Sequence, residues 1–320
     1  MSVPRIVLVC GATGQTGSAT VAALLQECKG EKVPAVKVLA MVRDAKSDSA
    51  LKLQKEGAIL VTGNFDDKKS LKEAFRGVNA CFLCCANQPN QVALESNVID
   101  AAEASETCAY LVKIGTCGIK GPTEDTPDYT SLNSLVEYGR FHAAIEERLS
   151  RCDPSKLSWT CLRPNHFMQN HAGDIFGTLP KKIIVYPHTD AKATIVDTRD
   201  VGEISAKLLL LEDISKHSGK CYDVCGPKGW SINELASLYT SVLGTSIQAV
   251  ECKPESFQAG MVEAGFPEWL AKAITTANMT FWARGATNYE SSPAIKELHP
   301  HFRTMEQWVK EMASLVKFDE

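Results

Sequence analysis

Short apolar runs and helix-patterned stretches take turns along the first half of the chain. Ile6 to Cys10 is a continuous apolar run of strand length, and Ser18 to Leu25 is rich in the alanine and leucine that favour helix. Val36 to Val42 repeats the strand pattern and Ser49 to Glu56 the helical one. Further strands are predicted over Ala58 to Thr62, Ala80 to Cys85, Ala109 to Ile114 and Ser158 to Leu162. Between them lie helical patterns at Ser70 to Phe75, closed by Gly77, at Ala93 to Ala104 and at Ser134 to Ser150. Strands that alternate with helices in this way pair in parallel, with the helices covering both faces of one sheet. Beyond residue 165 the pattern loosens. It predicts short strands at Ile183 to Tyr186 and Ala193 to Val196, a helix at Asp200 to Leu211 and a strand at Cys221 to Val224 that returns to the main sheet. Helices follow at Ile232 to Leu243, Pro254 to Ala264, Pro267 to Phe281 and Met305 to Val316.

The turn after the first strand carries the strongest chemical signal. Gly11-Ala12-Thr13-Gly14-Gln15-Thr16-Gly17 stands between a strand and a helix, where Gly11 and Gly14 permit positive φ and a close approach by a ligand, and Gly17 permits helix to pack on strand. Unpaired N–H groups at the helix start, backed by the helix dipole, suit a pyrophosphate. The spacing is GxxGxxG, and its place after a strand and before a helix is the context that a dinucleotide loop requires. The fold class expected is therefore α/β, a doubly wound parallel Rossmann sheet with a smaller C-terminal substrate or lid lobe. Residues 1–164 form the NAD(P)-binding domain, with the strand at 221–225 returning to it, and 165–320 supply mainly the smaller substrate-binding lobe. Arg43 ends the second strand, where an acid would accept from the ribose 2′-OH of NAD and an arginine accommodates the 2′-phosphate of NADP. NADP(H) is the cofactor this implies. A surface arginine in a βα loop is the plain alternative.

Composition narrows the setting. The 320 residues suit roughly two domains, and a net charge of −4 without a Lys/Arg block argues against a nucleic-acid surface. No apolar run reaches the roughly 20 residues of a membrane span, and the first strand begins within a few residues of Met1, so a cytoplasmic location is expected. There is no internal repeat and no low-complexity linker. Twelve cysteines sit mostly inside apolar strand patterns and read as reduced, buried thiols. Cys81 and Cys84 have C-x-x-C spacing, but i and i+3 of a strand face opposite ways, so a core reading is preferred over a redox or metal site.

Five stretches, in this order, make the chain resemble the NmrA-like branch of the atypical short-chain dehydrogenases. They are Gly-Ala-Thr-Gly-x-x-Gly at 11 to 17, Val42-Arg43, Leu-Val-Lys-Ile-Gly-Thr at 111 to 116, a helix with His142 followed by Glu146, and Leu-Arg-Pro-Asn-x-Phe-Met-x-Asn at 162 to 170. That group includes NADPH-dependent quinone reductases, triphenylmethane reductase and, more distantly, isoflavone and phenylcoumaran ether reductases. The resemblance implies a phosphate site at Gly11, Thr13, Gly14, Gln15, Thr16 and Gly17 and a 2′-phosphate site at Arg43. It also implies that Asn64, Phe65, Ala86, Asn87, Lys113, Asn165, His166 and Phe167 border adenine and nicotinamide. His142 falls where the ether reductases place an active-site lysine.

Short-chain dehydrogenases in general use Tyr-x-x-x-Lys with an upstream Ser or Thr, the tyrosine donating a proton to the nascent alkoxide and the lysine lowering its pKa. Here the spacing is Tyr138-x-x-x-His142, with Thr116 at the end of the fifth strand, so these three are the catalytic candidates. His142 is expected to donate or orient a proton, and Tyr138 either joins it or packs on the domain seam. Glu146, at i+4 from His142, reads as an exposed or His-orienting carboxylate, and a metal on this pair lacks further ligands. His166 and His171 either line the pocket or face solvent. The function expected is an NADPH-dependent oxidoreductase that transfers hydride to a small quinone, enone or carbonyl substrate. The departure from Tyr-x-x-x-Lys leaves open a non-catalytic NADP(H)-sensing regulator that binds a protein partner, and a homodimer is equally open.

Overall fold

A computed structural model describes residues 4–27 and 36–319. The first half alternates β1 (Arg5–Cys10), α1 (Gln15–Glu27), β2 (Val36–Val42), α2 (Asp48–Glu56), β3 (Ile59–Thr62) and α3 (Lys68–Ala74). It continues through β4 (Ala80–Leu83), α4 (Gln91–Glu103), β5 (Tyr110–Ile114), α5 (Glu137–Ser150) and β6 (Ser158–Pro164). After these come β7 (His166–Phe167), α6 (Ala172–Gly177), β8 (Ile183–Tyr186), β9 (Ala193–Val196), α7 (Thr198–Leu210), β10 (Lys220–Val224) and β11 (Gly229–Trp230). The chain ends with α8 (Ile232–Leu243), β12 (Gln248–Glu251), α9 (Pro254–Glu263), α10 (Glu268–Ala277), α11 (Pro293–Leu298) and α12 (Met305–Met312).

Seven strands make one parallel sheet in the order β10-β6-β5-β4-β1-β2-β3. The chain runs outward from β1 to β3, then returns to β4 and runs the other way, so the order reverses between β1 and β4. A crevice opens at the carboxyl ends of the strands at such a reversal. The near-continuous apolar strands follow from covering both faces. Val7 and Val9 join Phe82, Val112 and the helix residues Leu24 and Val201 on one face. Leu8 and Cys10 join Leu83, Leu111, Ile99 and Ile145 on the other. Each such side chain stabilises the fold by about 1.5–3 kcal/mol relative to exposure. Cys81 belongs to the second cluster while Cys84 packs on the first, so the C-x-x-C pair is split across the sheet as the strand period requires. The thiol contact of Cys81 is with Cys10 on the neighbouring strand, at 3.7 Å, and burial pushes the Cys81 thiol far above its usual range.

Several boundaries differ from the expected ones. α1 begins at Gln15 because the last glycine of the loop already lies inside the helix, and α5 begins at Glu137 because the Ser134 hydroxyl accepts from Val136 N–H ahead of it. The helix expected from Pro267 to Phe281 is α10 followed by a π turn over Asn278–Trp282, and the last helix stops at Met312. β7 and β11 are two residues each, too short for any periodicity to announce them, and β12 pairs in parallel with β8. Within the second half, α7 packs on α1 and α11 on β10, so both lie against the main sheet. Among the described residues, no helix is long and apolar enough to cross a membrane.

The α1 and α7 axes meet at Gly202. A Cβ there would stand 2.6 Å from the Ala19 carbonyl carbon and 2.8 Å from the Ala19 Cβ. A glycine-to-alanine change inside a helix ordinarily stabilises by up to about 1 kcal/mol. Gly202→Ala is expected to do the reverse, lowering the unfolding free energy by about 1–3 kcal/mol in urea titration, because overpacking at a helix crossing outweighs propensity.

Candidate active site

One cleft of about 1590 Å³ runs across the carboxyl ends of the strands, large enough for a cofactor and a second molecule together. Its floor is the turn after β1. Gly11 has φ of +84°, and a side chain on it would collide with the Cys84 carbonyl oxygen, so two loop backbones touch at the sheet's reversal point. A Cβ on Gly17 would strike the Gly11 carbonyl oxygen in the same way. Gly14 N–H donates to Gly11 O at 3.0 Å, and Ser18 N–H to Gly14 O at 2.8 Å. That leaves the N–H groups of Gln15, Thr16 and Gly17 as the unpaired start of α1, with no acid in the first turn to compete for an anion. Gly11, Thr13, Gly14, Gln15 and Thr16 line the cleft. Gly17 does not, and what it offers is backbone N–H and a close helix packing.

Arg43 is exposed at the cleft rim and has no hydrogen bond or ion pair among the described residues. The neighbouring Asp44 turns away from the cleft: its Oδ1 accepts from Lys46 N–H at 2.8 Å. The guanidinium is thus free to meet an anion, and the adjacent carboxylate is occupied. Asn64, Phe65, Ala86 and Asn87 continue the rim. Asn64 Oδ1 takes Asp66 N–H at 3.2 Å, and the Phe65 carbonyl accepts from Asn97 Nδ2 at 3.0 Å, which holds the ring against the α3–α4 side of the core. An anion-accepting helix start, a glycine cradle and a free cation one strand away together fit a dinucleotide carrying an extra phosphate.

The inner end of the cleft holds Thr116, Tyr138 and His142. Tyr138 and Tyr129 share a hydroxyl hydrogen bond of 2.6 Å, and burial pushes both phenols up. Burial, Tyr129 and Cys117 are what act on Tyr138, with no lysine lowering it, and His142 stands where Tyr-x-x-x-Lys has its lysine. His142 is 5% exposed. Its Nδ1 lies 3.1 Å from the Lys113 ammonium, and burial followed by that positive charge drives the ring well below its ordinary pKa, so it is neutral. Lys113 has no lone pair to offer, so Nδ1 is the acceptor and the ring proton sits on Nε2. Lys113 itself is fully buried and does not line the cleft, which corrects its assignment to the cofactor. It donates to Ile114 O at 2.6 Å, and Glu95 Oε2 lies 2.9 Å from Nζ as an ion pair outside good hydrogen-bond angle. Glu146 does not orient His142 either. Arg163 holds it, Nε to Oε1 at 3.0 Å, with Cys161 Sγ at 3.3 Å.

The outer wall comes from the second half of the chain. Asn165 is committed by its Nδ2 to Thr194 Oγ1 at 2.9 Å and Thr287 O at 2.8 Å, leaving only Oδ1 for a ligand. His166 and Phe167 line the cleft. The His166 ring lies 4.8 Å from Trp282 and 5.2 Å from His171, centroid to centroid, and its buried Nε2 has no partner among the described residues. His171 is fully buried with Nδ1 2.7 Å from Asp174 Oδ2. Tyr186, Phe257, Asn278 and Trp282 complete this wall, none of them found from the sequence. Asn278 and Trp282 sit on the π turn, which no hydrophobic period marks.

Among the described residues two carboxylate-bearing groups have metal-like spacing, Glu146 with Cys161 and Cys221, and Asp200 with Glu203 and His299. In each an arginine, Arg163 or Arg303, already neutralises the carboxylates, so both read as ion-pair networks.

Comparison with known proteins agrees with this geometry. The NAD(P)H azoreductase of Xenophilus azovorans is 28% identical over 269 residues, covering 84% of this chain and 85% of its own. Two crystal structures share the fold. The NADPH-dependent quinone oxidoreductase of Escherichia coli, complexed with NADPH, superposes with a TM-score of 0.77 at 21% identity, over 96% of this chain and 99% of that one. The Citrobacter sp. triphenylmethane reductase complexed with NADP(H) gives 0.76 at 20%, over 97% and 99%. A model of the NAD(P)H-binding family matches residues 11–210, and the chain belongs to that family.

Proposed function

We propose that this chain is an NADPH-dependent reductase that transfers hydride to a small quinone, enone or carbonyl compound. One observation carries the reading: a buried, neutral His142 with Nδ1 taken by Lys113 opens onto the same cleft as the glycine loop and the free Arg43. Azo, quinone and dye reduction among the named relatives supports it.

Bound NADPH supplies the hydride. The helix-start amides of Gln15, Thr16 and Gly17 hold the diphosphate, and Arg43 holds the 2′-phosphate. Phe167 and Asn165 border the inner end, and the aromatic wall around Trp282 gives a planar acceptor a face to lie on while keeping water out. His142 Nε2–H donates to the acceptor's oxygen, stabilising negative charge as it develops there. Thr116 supplies a hydroxyl at the same end of the cleft. Tyr138, tied to Tyr129, serves as a fixed hydrogen-bonding wall rather than a tuned acid.

Purified chain assayed by NADPH absorbance against menadione, cinnamaldehyde and an azo dye is expected to turn over at least one. No consumption of NADPH with any of them, together with tight binding of the nucleotide, would sink the reductase in favour of a sensor. Arg43→Ala should weaken NADPH about tenfold or more in calorimetry and leave NADH within about twofold, as expected for a charge-assisted hydrogen bond worth about 1.5–3 kcal/mol. His142→Ala should lower kcat about 10²-fold with NADPH affinity nearly unchanged, since general acids typically contribute about 10²–10⁴.

A further inference from the structure

A neutral imidazole is a poor proton donor on its own, because losing its one N–H proton would leave an imidazolate. The surroundings of His142 remove that difficulty. Behind its Nδ1 stands the Lys113 ammonium at 3.1 Å; behind Lys113 stands Glu95 at 2.9 Å; and Gln91 Nε2 donates to Glu95 Oε1 at 3.1 Å. Gln91, Glu95 and Lys113 are all fully buried, and with His142 they run from α4 by way of β5 to α5. A buried ion pair is weak evidence of stability, since apolar residues of the same volume commonly replace one without loss. A role other than stability is the better account of a lysine placed in the middle of an apolar strand.

We propose that Lys113 is the proton reservoir of the site and His142 its relay, with Glu95 keeping the reservoir charged. The inference rests on the reductase reading above. As hydride reaches the acceptor carbon and its π bond opens, the His142 Nε2–H bond breaks and the acceptor's O–H bond forms. In the same event the Lys113 Nζ–H bond breaks and a His142 Nδ1–H bond forms. The ring stays neutral throughout and ends as the other tautomer, while Lys113 ends as a neutral amine beside Glu95. One proton and one hydride have then been added to the acceptor, and NADP⁺ remains. A proton from water recharges the chain in reverse, entering at Nε2 and passing from Nδ1 to Lys113 once product has left. Lys113 touches neither substrate nor cofactor, so it is a positioning residue that acts through His142. Its effect should depend on the acceptor. A carbonyl yields a strongly basic alkoxide that needs the donated proton, whereas a quinone yields a weakly basic phenolate that takes its proton from water.

The test uses the full chain with NADP⁺ bound for spectroscopy and with NADPH for kinetics. Nitrogen-15 spectra, assigned by loss of the His142 signals in His142→Gln, are expected to show His142 with Nε2 protonated and Nδ1 bare. Lys113→Met should abolish that fixed tautomer. Because removing one member of a buried pair strands the other, the charge-neutral double variant Lys113→Met, Glu95→Gln is measured beside it. Both variants are expected to lose about 10²-fold in kcat with cinnamaldehyde, with KM and NADPH affinity within about threefold, and to lose far less with menadione. A wild-type ring protonated at Nδ1, or a double variant that reduces cinnamaldehyde at the wild-type rate, would overturn the relay. Absence of turnover by the wild type would instead overturn the reductase reading, and the nitrogen spectra would still decide whether Lys113 sets the tautomer.

Discussion

Two loop backbones come closer at the reversal of the sheet than any side chain would allow, and the cleft exists because of that approach. Gly11 meets the Cys84 carbonyl, and Gly17 meets Gly11. The first contact brings the ends of β1 and β4 together, and the second draws the start of α1 down onto the strand. Both therefore aim the same three unpaired N–H groups at one point. Thr16 adds a pin from its Oγ1 to Cys84 Sγ at 3.3 Å. A Cβ at either glycine would push the helix start outward, and with it the unpaired N–H groups that face the cleft.

The charges of the cleft are arranged by depth. Arg43 stands at the rim in water, where a free guanidinium needs no protein partner. Further in, burial holds His142 and His166 well below their ordinary pKa, so both of these cleft rings are neutral. Lys113, fully buried, is balanced by Glu95 and kept a layer behind the cleft surface. Its pKa is nonetheless raised: burial works against the charge, and the attraction of Glu95 wins.

The sheet was legible because its physics is local. A strand covered on both faces must be apolar throughout, and six such runs separated by helices leave little choice of topology. The glycine turn and Arg43 could be read for the same reason, since backbone clearance and strand-end position belong to single residues. The rest of the site depends on contacts that no period encodes. Lys113 is the instructive case: a lysine in Tyr110–Ile114, an otherwise apolar run, required a buried carboxylate. Glu95, on the inner face of α4, was the residue to look for. Reading Lys113 as a cofactor ligand overlooked that the strand interior has no water to hold its charge. Glu146 misled in the opposite direction, because sharing a helical face with His142 did not bring its carboxylate to the ring once Arg163 offered a stronger partner. Trp282 and Asn278 lay beyond reach, since a π turn shifts the register of every later residue.

The two halves of the cleft are joined in part through one amide. Asn165 ties its own backbone to Val224 in the main sheet and its side chain to Thr194 and Thr287 in the outer wall. Upstream of it lie the glycine loop, Arg43 and His142, and downstream the aromatic wall of Tyr186, Phe257 and Trp282. Such a division makes the second surface free to drift. A descendant gene could trade one acceptor for another by repainting a handful of aromatic and imidazole positions, while the grip on its electron source passed down unaltered.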